Sequence, residues 1–180
     1  MSSPDALKSS AHALHRHDLV WNSGLVITNS AIHGRGVFVS RDFRAGSPIT
    51  RLSGQLMRGS LALSDPDYIG IGPQCWIDPE LPFSTINHSC EPTAAFGRRQ
   101  TIHAVRDLSP GDEVTIDYST TEEDPDWQMD CACGTTSCRG VLRAIQFAFP
   151  DPERPPLASP LMLAVWRRRL KRPAIPLLRA

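Results

Sequence analysis

Three cysteines, Cys131, Cys133 and Cys138, form a C-x-C-x4-C cluster, and a fourth, Cys90, stands upstream in Asn87-His88-Ser89-Cys90-Glu91-Pro92. Thiolates are favoured zinc ligands, held at about 2.3 Å in a tetrahedron. Cys131 and Cys133 can turn toward one ion only if the backbone between them bends tightly. Gly134 supplies freedom for that bend, and Gly140 lets the chain leave. Three thiolates leave one corner of the tetrahedron. A fourth protein ligand there makes a closed structural site, whereas a water makes an open, reactive one. A second chemistry, a nucleophilic cysteine with a neighbouring base, would pair Cys90 with His88. Such dyads are assembled from residues distant in sequence, which argues against a pairing of i and i+2 neighbours. The total of five cysteines is odd and too small for a disulfide scaffold. The fifth, Cys75, lies in an apolar run (Cys75-Trp76-Ile77) and reads as a core thiol.

The elements that must carry these residues are mostly strands. Leu25–Thr28, Gly36–Ser40, Ile49–Leu52, Tyr68–Ile71, Cys75–Asp78, Thr101–Val105 and Glu113–Ile116 are short runs rich in Val, Ile, Thr or aromatics, bounded by turn residues. Asp42–Gly46 and Ser109-Pro110-Gly111-Asp112 are turn signals. No strand–helix–strand rhythm appears, which argues against a doubly wound fold. Short helices are expected around Ala11–His15 and Ser60–Leu63. Val141, Leu142, Ile145 and Phe149 predict a helix within Arg139–Phe149. Five prolines between Pro150 and Pro160 mark a linker. Leu161–Arg172 then reads as a helix with Leu163, Trp166 and Leu170 on one stripe and Arg167, Arg168, Arg169, Lys171 and Arg172 at its C-terminal end, where cations suit the dipole. Such a helix is expected to dock its Trp stripe on the domain or on a second copy of the chain, as a homodimer. The histidines His12, His15 and His17 read as part of a solvated tail.

The chain has 180 residues and zero formal net charge, so nothing pulls it globally toward nucleic acid or anionic membrane. No apolar run approaches the roughly 20 residues that span a bilayer, and Met1–Asn22 has no apolar leader core. The expected location is intracellular, and cytoplasmic in a bacterium. Direct binding to nucleic acid or membrane is not expected.

The order of three motifs is the more specific signal. Asn87-His88-Ser89-Cys90-Glu91-Pro92 is followed by Gly111-Asp112-Glu113-Val114-Thr115-Ile116-Asp117-Tyr118, then by the cysteine cluster running into Arg139-Gly140. Upstream, His33-Gly34-Arg35-Gly36-Val37-Phe38 is a G-x-G ahead of a β-run, with no third glycine or helix of a dinucleotide fingerprint. From about Leu25 to Leu142 the chain resembles the SET domain with its post-SET segment, a family of S-adenosylmethionine-dependent protein-lysine N-methyltransferases. The resemblance implies a mainly β fold of small twisted sheets (the β-clip arrangement) with knot-like threading of the C-terminal strand, a post-SET zinc loop and C-terminal helices. It implies an N-terminal tail over 1–22, a SET domain over 23–119, a post-SET segment over 120–142 and a helical extension over 143–180.

The resemblance also assigns residues. Cys90 becomes the fourth ligand of a structural zinc, beside Cys131, Cys133 and Cys138. Gly34, Arg35 and Gly36 lie against the cofactor, with Asn87 and His88 bonding it and Tyr118 touching it as the catalytic hydroxyl. The implied partner is a protein with a target lysine, a histone or another basic protein. Three positions depart from the common pattern: Leu52-Ser53-Gly54 replaces Y-x-G, Ile116 stands where Phe or Tyr is frequent, and Thr93 replaces asparagine. The acidic run Glu122-Glu123-Asp124-Pro125-Asp126 either attracts a basic peptide or forms a solvated loop. The rival to an enzyme is a catalytically silent SET-like module that binds protein partners. Retention of Tyr118, Asn87-His88 and both glycines argues against it.

Overall fold

The computed structural model describes residues 19–21, 24–59 and 68–171. The helices expected around Ala11–His15 and Ser60–Leu63, and the three tail histidines, lie outside the described residues. In chain order the strands are β1 (Leu19–Trp21), β2 (Leu25–Asn29), β3 (Arg35–Val39), β4 (Pro48–Arg51), β5 (Gly54–Arg58), β6 (Ile69–Gly72) and β7 (Cys75–Pro79). They continue as β8 (Asn87–His88), β9 (Ala94–Phe96), β10 (Thr101–Ala104), β11 (Glu113–Ile116), β12 (Gln128–Asp130) and β13 (Val141–Arg143). Two α-helices follow, α1 (Ile145–Ala148) and α2 (Pro160–Lys171).

The strands form small separate sheets: β1-β2-β3-β11-β8, β4-β10-β9, β5-β7-β6 and β12-β13. All seven strands expected from composition are present, each within one or two residues. The six unforeseen strands are short or polar. Leu19–Trp21, read as tail, pairs antiparallel with β2.

What matters for function is the placement of β11. It pairs antiparallel with β3 and parallel with β8, with Thr115 opposite Asn87 and Ile116 opposite His88. A parallel pair needs a long crossover, and the β9–β10 hairpin with the turn after it supplies one. That turn is Ser109–Asp112, closed by the Asp112 N–H on Ser109 O at 2.9 Å. The register is held by the core. Val37, Val39, Val114, Ile116, Ile102, Leu52, Phe83 and Ile86 are among one continuous buried cluster, and a one-residue slip would turn such side chains to water.

The helix expected within Arg139–Phe149 is mostly not helix. Val141–Arg143 is a strand paired with β12, and only one helical turn, α1, follows. The Cys131 N–H bonds Gly140 O at 2.7 Å, so closure of the cysteine loop draws the two flanks together as a β-ladder. Leu142 and Ile145 are buried, as a helix would also have placed them, while Val141 faces outward.

Helix α2 begins and ends close to expectation. Pro160 occupies its first position, and Ser159 Oγ accepts the Met162 N–H at 3.2 Å. Its buried face is Met162, Val165 and Trp166, with Leu163 and Leu170 at the margin, packed on Ile145 and Phe149. Trp166 is 2% exposed and donates Nε1–H to Phe149 O at 2.7 Å. The stripe therefore docks on its own domain. No helix among the described residues is long and apolar enough to cross a membrane.

Candidate functional site

The parallel β8–β11 pair brings the asparagine–histidine motif beside the segment that ends in Tyr118. Asn87 is buried, and its Nδ2 donates toward His33 O (3.1 Å), Arg35 O (3.1 Å) and Glu113 Oε1 (2.8 Å). Glu113 also accepts from Ser30 Oγ at 2.9 Å on both carboxylate oxygens. The Ser30–Glu113–Asn87 chain thus clamps the glycine-containing turn onto β8. Glu113 belongs to the Gly111–Tyr118 motif, and its role appears only in the fold. The available signal was a carboxylate at the start of a strand whose other residues are Val, Thr and Ile. Gly36 sits inside this clamp. A Cβ there would lie 2.2 Å from Glu113 Oε1 and 3.0 Å from Ser30 Cβ.

A cavity of about 190 Å³ opens beside this clamp. One wall is Ile32, His33, Asn87, His88 and Tyr118; the other is Met129–Cys133 of the cysteine loop. Gly34, Arg35 and Gly36 do not line it. Arg35 reaches away, with Nη2 on Ile27 O at 2.9 Å. A roomier cavity of about 260 Å³ lies between Ile71, Phe96, Arg98, Thr121 and Leu161. It holds neither the tyrosine, the Asn87–Cys90 motif nor any thiol, so size does not mark the site here.

Tyr118 is half-buried, and both its N–H and its hydroxyl are engaged. Its N–H donates to His88 Nδ1 at 3.2 Å, and its hydroxyl to Ile86 O at 2.7 Å. The two rings lie 5.3 Å apart. Burial holds the His88 imidazole neutral, down to about 4. Asp117 caps the following turn through the Ser119 N–H at 3.1 Å and pairs with the Arg139 guanidinium. The Arg139 N–H in turn points at Cys90 Sγ at 3.4 Å. The aspartate before the tyrosine is thereby tied to the residue after Cys138. Leu52 and Ile116 are both buried in the main core.

The thiols of Cys90, Cys131 and Cys133 gather, and Cys138 joins them at Cys131. Cys90 Sγ lies 3.8 Å from Cys131 Sγ, and Cys138 Sγ lies 3.6 Å from Cys131 Sγ. A tetrahedron with metal–sulfur bonds of about 2.3 Å has edges of about 3.8 Å. Cys133 Sγ belongs to the same group, within 4.8 Å of the Cys90 and Cys131 sulfurs and of a His88 ring nitrogen. By mutual distance alone His88, rather than Cys138, completes the tightest four. Gly134 adopts φ +74°, the bend the cluster needs.

The thiols do not share charge evenly. Burial pushes Cys131 up to about 12. Burial also opposes ionisation of Cys133, but the Thr135 hydroxyl and the Cys90 N–H outweigh it and bring that thiol down to about 6. Packed sulfurs resist ionising together, and a divalent cation among them removes that repulsion. Donor type, spacing and electrostatics therefore fit zinc. Cys75 stands apart in β7, against the main core.

The acidic run is not a free basic-peptide trap, nor simply a solvated loop. Glu123 is 5% exposed and accepts the Gln74 N–H at 2.7 Å; its other oxygen faces Arg169 (3.5 Å) and Arg168 (3.6 Å) of α2. Glu122 turns inward too, taking the N–H groups of Glu123 and Asp124 at 2.7 Å, and burial raises its carboxyl above the usual range.

Comparison with known proteins gives a consistent family. The model of the SET domain matches residues 34–119. The chain is 33% identical over 136 residues to histone-lysine N-methyltransferase 2B of Homo sapiens, covering 64% of this chain and 5% of that protein. It is 33% identical over 138 residues to histone-lysine N-methyltransferase trithorax of Drosophila virilis, covering 64% and 4%. It is 32% identical over 140 residues to the H3 lysine-4 specific histone-lysine N-methyltransferase of Cryptococcus neoformans, covering 66% and 10%. The chain thus spans a tenth or less of the length of these relatives. Among solved structures, KRYPTONITE in complex with mCHG DNA and SAH superposes with a TM-score of 0.51 at 28% identity, covering 64% of this chain and 28% of that one.

Proposed function

This chain belongs to the SET-domain family, and from that premise we propose that it transfers a methyl group from S-adenosylmethionine to the side-chain amine of a lysine in a protein. The observation that carries the reading is one cavity shared by Asn87, His88, Tyr118 and the cysteine loop. S-adenosylmethionine supplies an electrophilic methyl group on a sulfonium. The protein's share is to position and to dry the reaction. Asn87 holds the turn that flanks the cavity, and His33, Asn87 and His88 offer backbone and side-chain groups to the cofactor. Gly34, Arg35 and Gly36 act behind that surface, as the clamped turn that sets its shape. Tyr118 orients the incoming amine through its hydroxyl. The apolar surface that Ile32, Met129 and Ala132 give the cavity disfavours a charged ammonium and so keeps the lysine neutral for attack. Positioning of this kind supplies much of the acceleration in a displacement between two bound groups.

Cys90, Cys131, Cys133 and Cys138 hold one structural zinc in this reading. Because the loop that bears three of them is also a cavity wall, zinc binding contributes to folding of the site. The substrate is a histone tail or another basic protein. Support comes from the histone-methylating relatives and from a KRYPTONITE structure bound to mCHH DNA, an H3(1-15) peptide and SAH, at TM-score 0.50 and 28% identity.

Calorimetric titration with S-adenosylhomocysteine is expected to give one site per chain, and labelled S-adenosylmethionine to mark lysine in histones or a lysate. Binding without transfer to any protein is what a silent interaction module would show. Absence of both would sink the reading.

Gly36→Val tests the clamp. Its side chain meets side-chain atoms of Glu113 and Ser30 rather than backbone, so the Ser30–Glu113–Asn87 chain is broken while the strands keep their pairing. Hydrogen bonds to a charged group are worth about 1.5–3 kcal/mol each. S-adenosylhomocysteine affinity is therefore expected to fall by roughly 10- to 100-fold. Unchanged affinity in a folded Gly36→Val protein would remove this turn from the cofactor site.

A further inference from the structure

We propose that His88 is a positioning residue rather than a metal ligand: its ring spans from the Tyr118 backbone to the Cys90 sulfur, so one side chain sets both. The inference rests on the zinc and methyl-transfer reading above and assigns His88 a role within it.

The argument begins with proton positions. A backbone N–H can only donate, so the Tyr118 N–H, 3.2 Å from His88 Nδ1, requires a lone pair on that nitrogen. The proton of the neutral ring is then on Nε2. Nε2 faces Cys90 Sγ at 3.3 Å. A nitrogen that carries a proton cannot bind a cation, but it can donate to a thiolate. For His88 to be a ligand, the proton would have to move to Nδ1. Two donors would then face each other at the Tyr118 contact. The other fourth candidate has no such conflict. Cys138 Sγ is 3.6 Å from Cys131 Sγ, close to the edge of a zinc–sulfur tetrahedron.

Charge gives an independent reason. Four thiolates around a divalent cation leave a net double negative charge, which needs donors aimed at the sulfurs. Several are in place. His88 Nε2–H and the Arg139 N–H face Cys90 Sγ, while the Cys90 N–H (3.5 Å) and the Thr135 hydroxyl (3.2 Å) face Cys133 Sγ. His88 is the one of these donors whose other end touches the tyrosine. Its ring is rigid and 5% exposed, so the two contacts move together. Loading of the metal centre thereby bears on where the Tyr118 main chain sits.

Two substitutions separate the ends. Asparagine places an amide oxygen near the position of Nδ1, and glutamine places an amide nitrogen near that of Nε2. His88→Asn should keep the Tyr118 contact and lose the Cys90 contact; His88→Gln should do the reverse. Zinc affinity, measured by competition with a chelator, is expected to fall by roughly 10- to 100-fold in His88→Asn, the usual cost of losing a group that supports a metal ligand. In His88→Gln it should change by only a few-fold. Amide hydrogen exchange at Tyr118 should show the opposite pattern, faster in His88→Gln and protected in His88→Asn. Nitrogen NMR of the unsubstituted zinc protein needs no variant and should find the His88 proton on Nε2. A proton on Nδ1, or equal effects of the two variants on both readouts, would overturn the inference while leaving the metal reading intact. Failure of the unsubstituted protein to bind zinc would overturn both.

Discussion

Cys90→Ser is expected to lose its zinc and, with it, most of its affinity for S-adenosylhomocysteine. A serine hydroxyl is a far poorer zinc ligand than a thiolate. Structural zinc contributes an apparent folding free energy of about 10–16 kcal/mol in small metal-dependent segments. Apart from buried Leu142 and the Arg139–Asp117 pair, the segment at stake has few ties to the domain. β12 and β13 form an isolated two-stranded ladder, and every residue of β12 is exposed. Two strands alone are marginal in water. When the loop comes free, the cavity wall formed by Met129–Cys133 goes with it. Zinc content should fall from one per chain to near zero, and cofactor affinity by more than roughly 100-fold, a loss of about 2.7 kcal/mol. A chelator should do the same to the unsubstituted protein, and Cys138→Ser should resemble Cys90→Ser. The core around Ile102 and Val114 does not involve the loop, so circular dichroism should still report a folded β domain. A Cys90→Ser protein with undiminished zinc would exclude Cys90 from the ligand set.

Tyr118→Phe is expected to separate rate from affinity. The ring keeps its place against His88 and the main core. Only the hydroxyl and its bond to Ile86 O are lost. Loss of one preorganised donor at a reacting centre typically costs roughly 10²- to 10³-fold in rate. An orphaned carbonyl costs on the order of 1 kcal/mol in stability. Methyl transfer to any accepted lysine should therefore collapse by two to three orders of magnitude, while S-adenosylhomocysteine affinity changes by a few-fold, about 1 kcal/mol or less. Rate measurements at saturating cofactor, beside a calorimetric titration, read the two separately. Full activity in this variant would make the Asp117–Tyr118 motif structural and favour the silent module.

Much of this site was legible in the residues themselves. Cysteines two and five positions apart, with Gly134 between the second and third, can close on one ion because only local backbone geometry is involved. The strands richest in Val, Ile and Thr were legible for the same reason, since their burial follows from composition and period. The C-terminal end of α2 followed from its run of cations, which suit the helix dipole. What failed or was missing depends on partners far away in the chain. Val141–Arg143 has an apolar spacing that suits a helix, but closure of the loop between Cys131 and Gly140 pairs it with β12. Glu122 and Glu123 look like a solvated acidic run, yet Glu123 is claimed by Gln74 on one side and by two arginines of α2 on the other.

By itself, then, the sequence determined the closely spaced thiols Cys131, Cys133 and Cys138, the positions of the longer strands and the order of the motifs, because each can be read along the chain. The tertiary structure alone decided how those pieces meet. Insertion of β11 beside β8 sets Glu113 under Asn87, though Ser30, the third member of that chain, is 83 positions from Glu113. The same insertion turns one face of His88 to Tyr118 and the other to Cys90. No local pattern encodes such contacts. They exist only once the core has chosen a register, and burial then makes an unpartnered polar group costly.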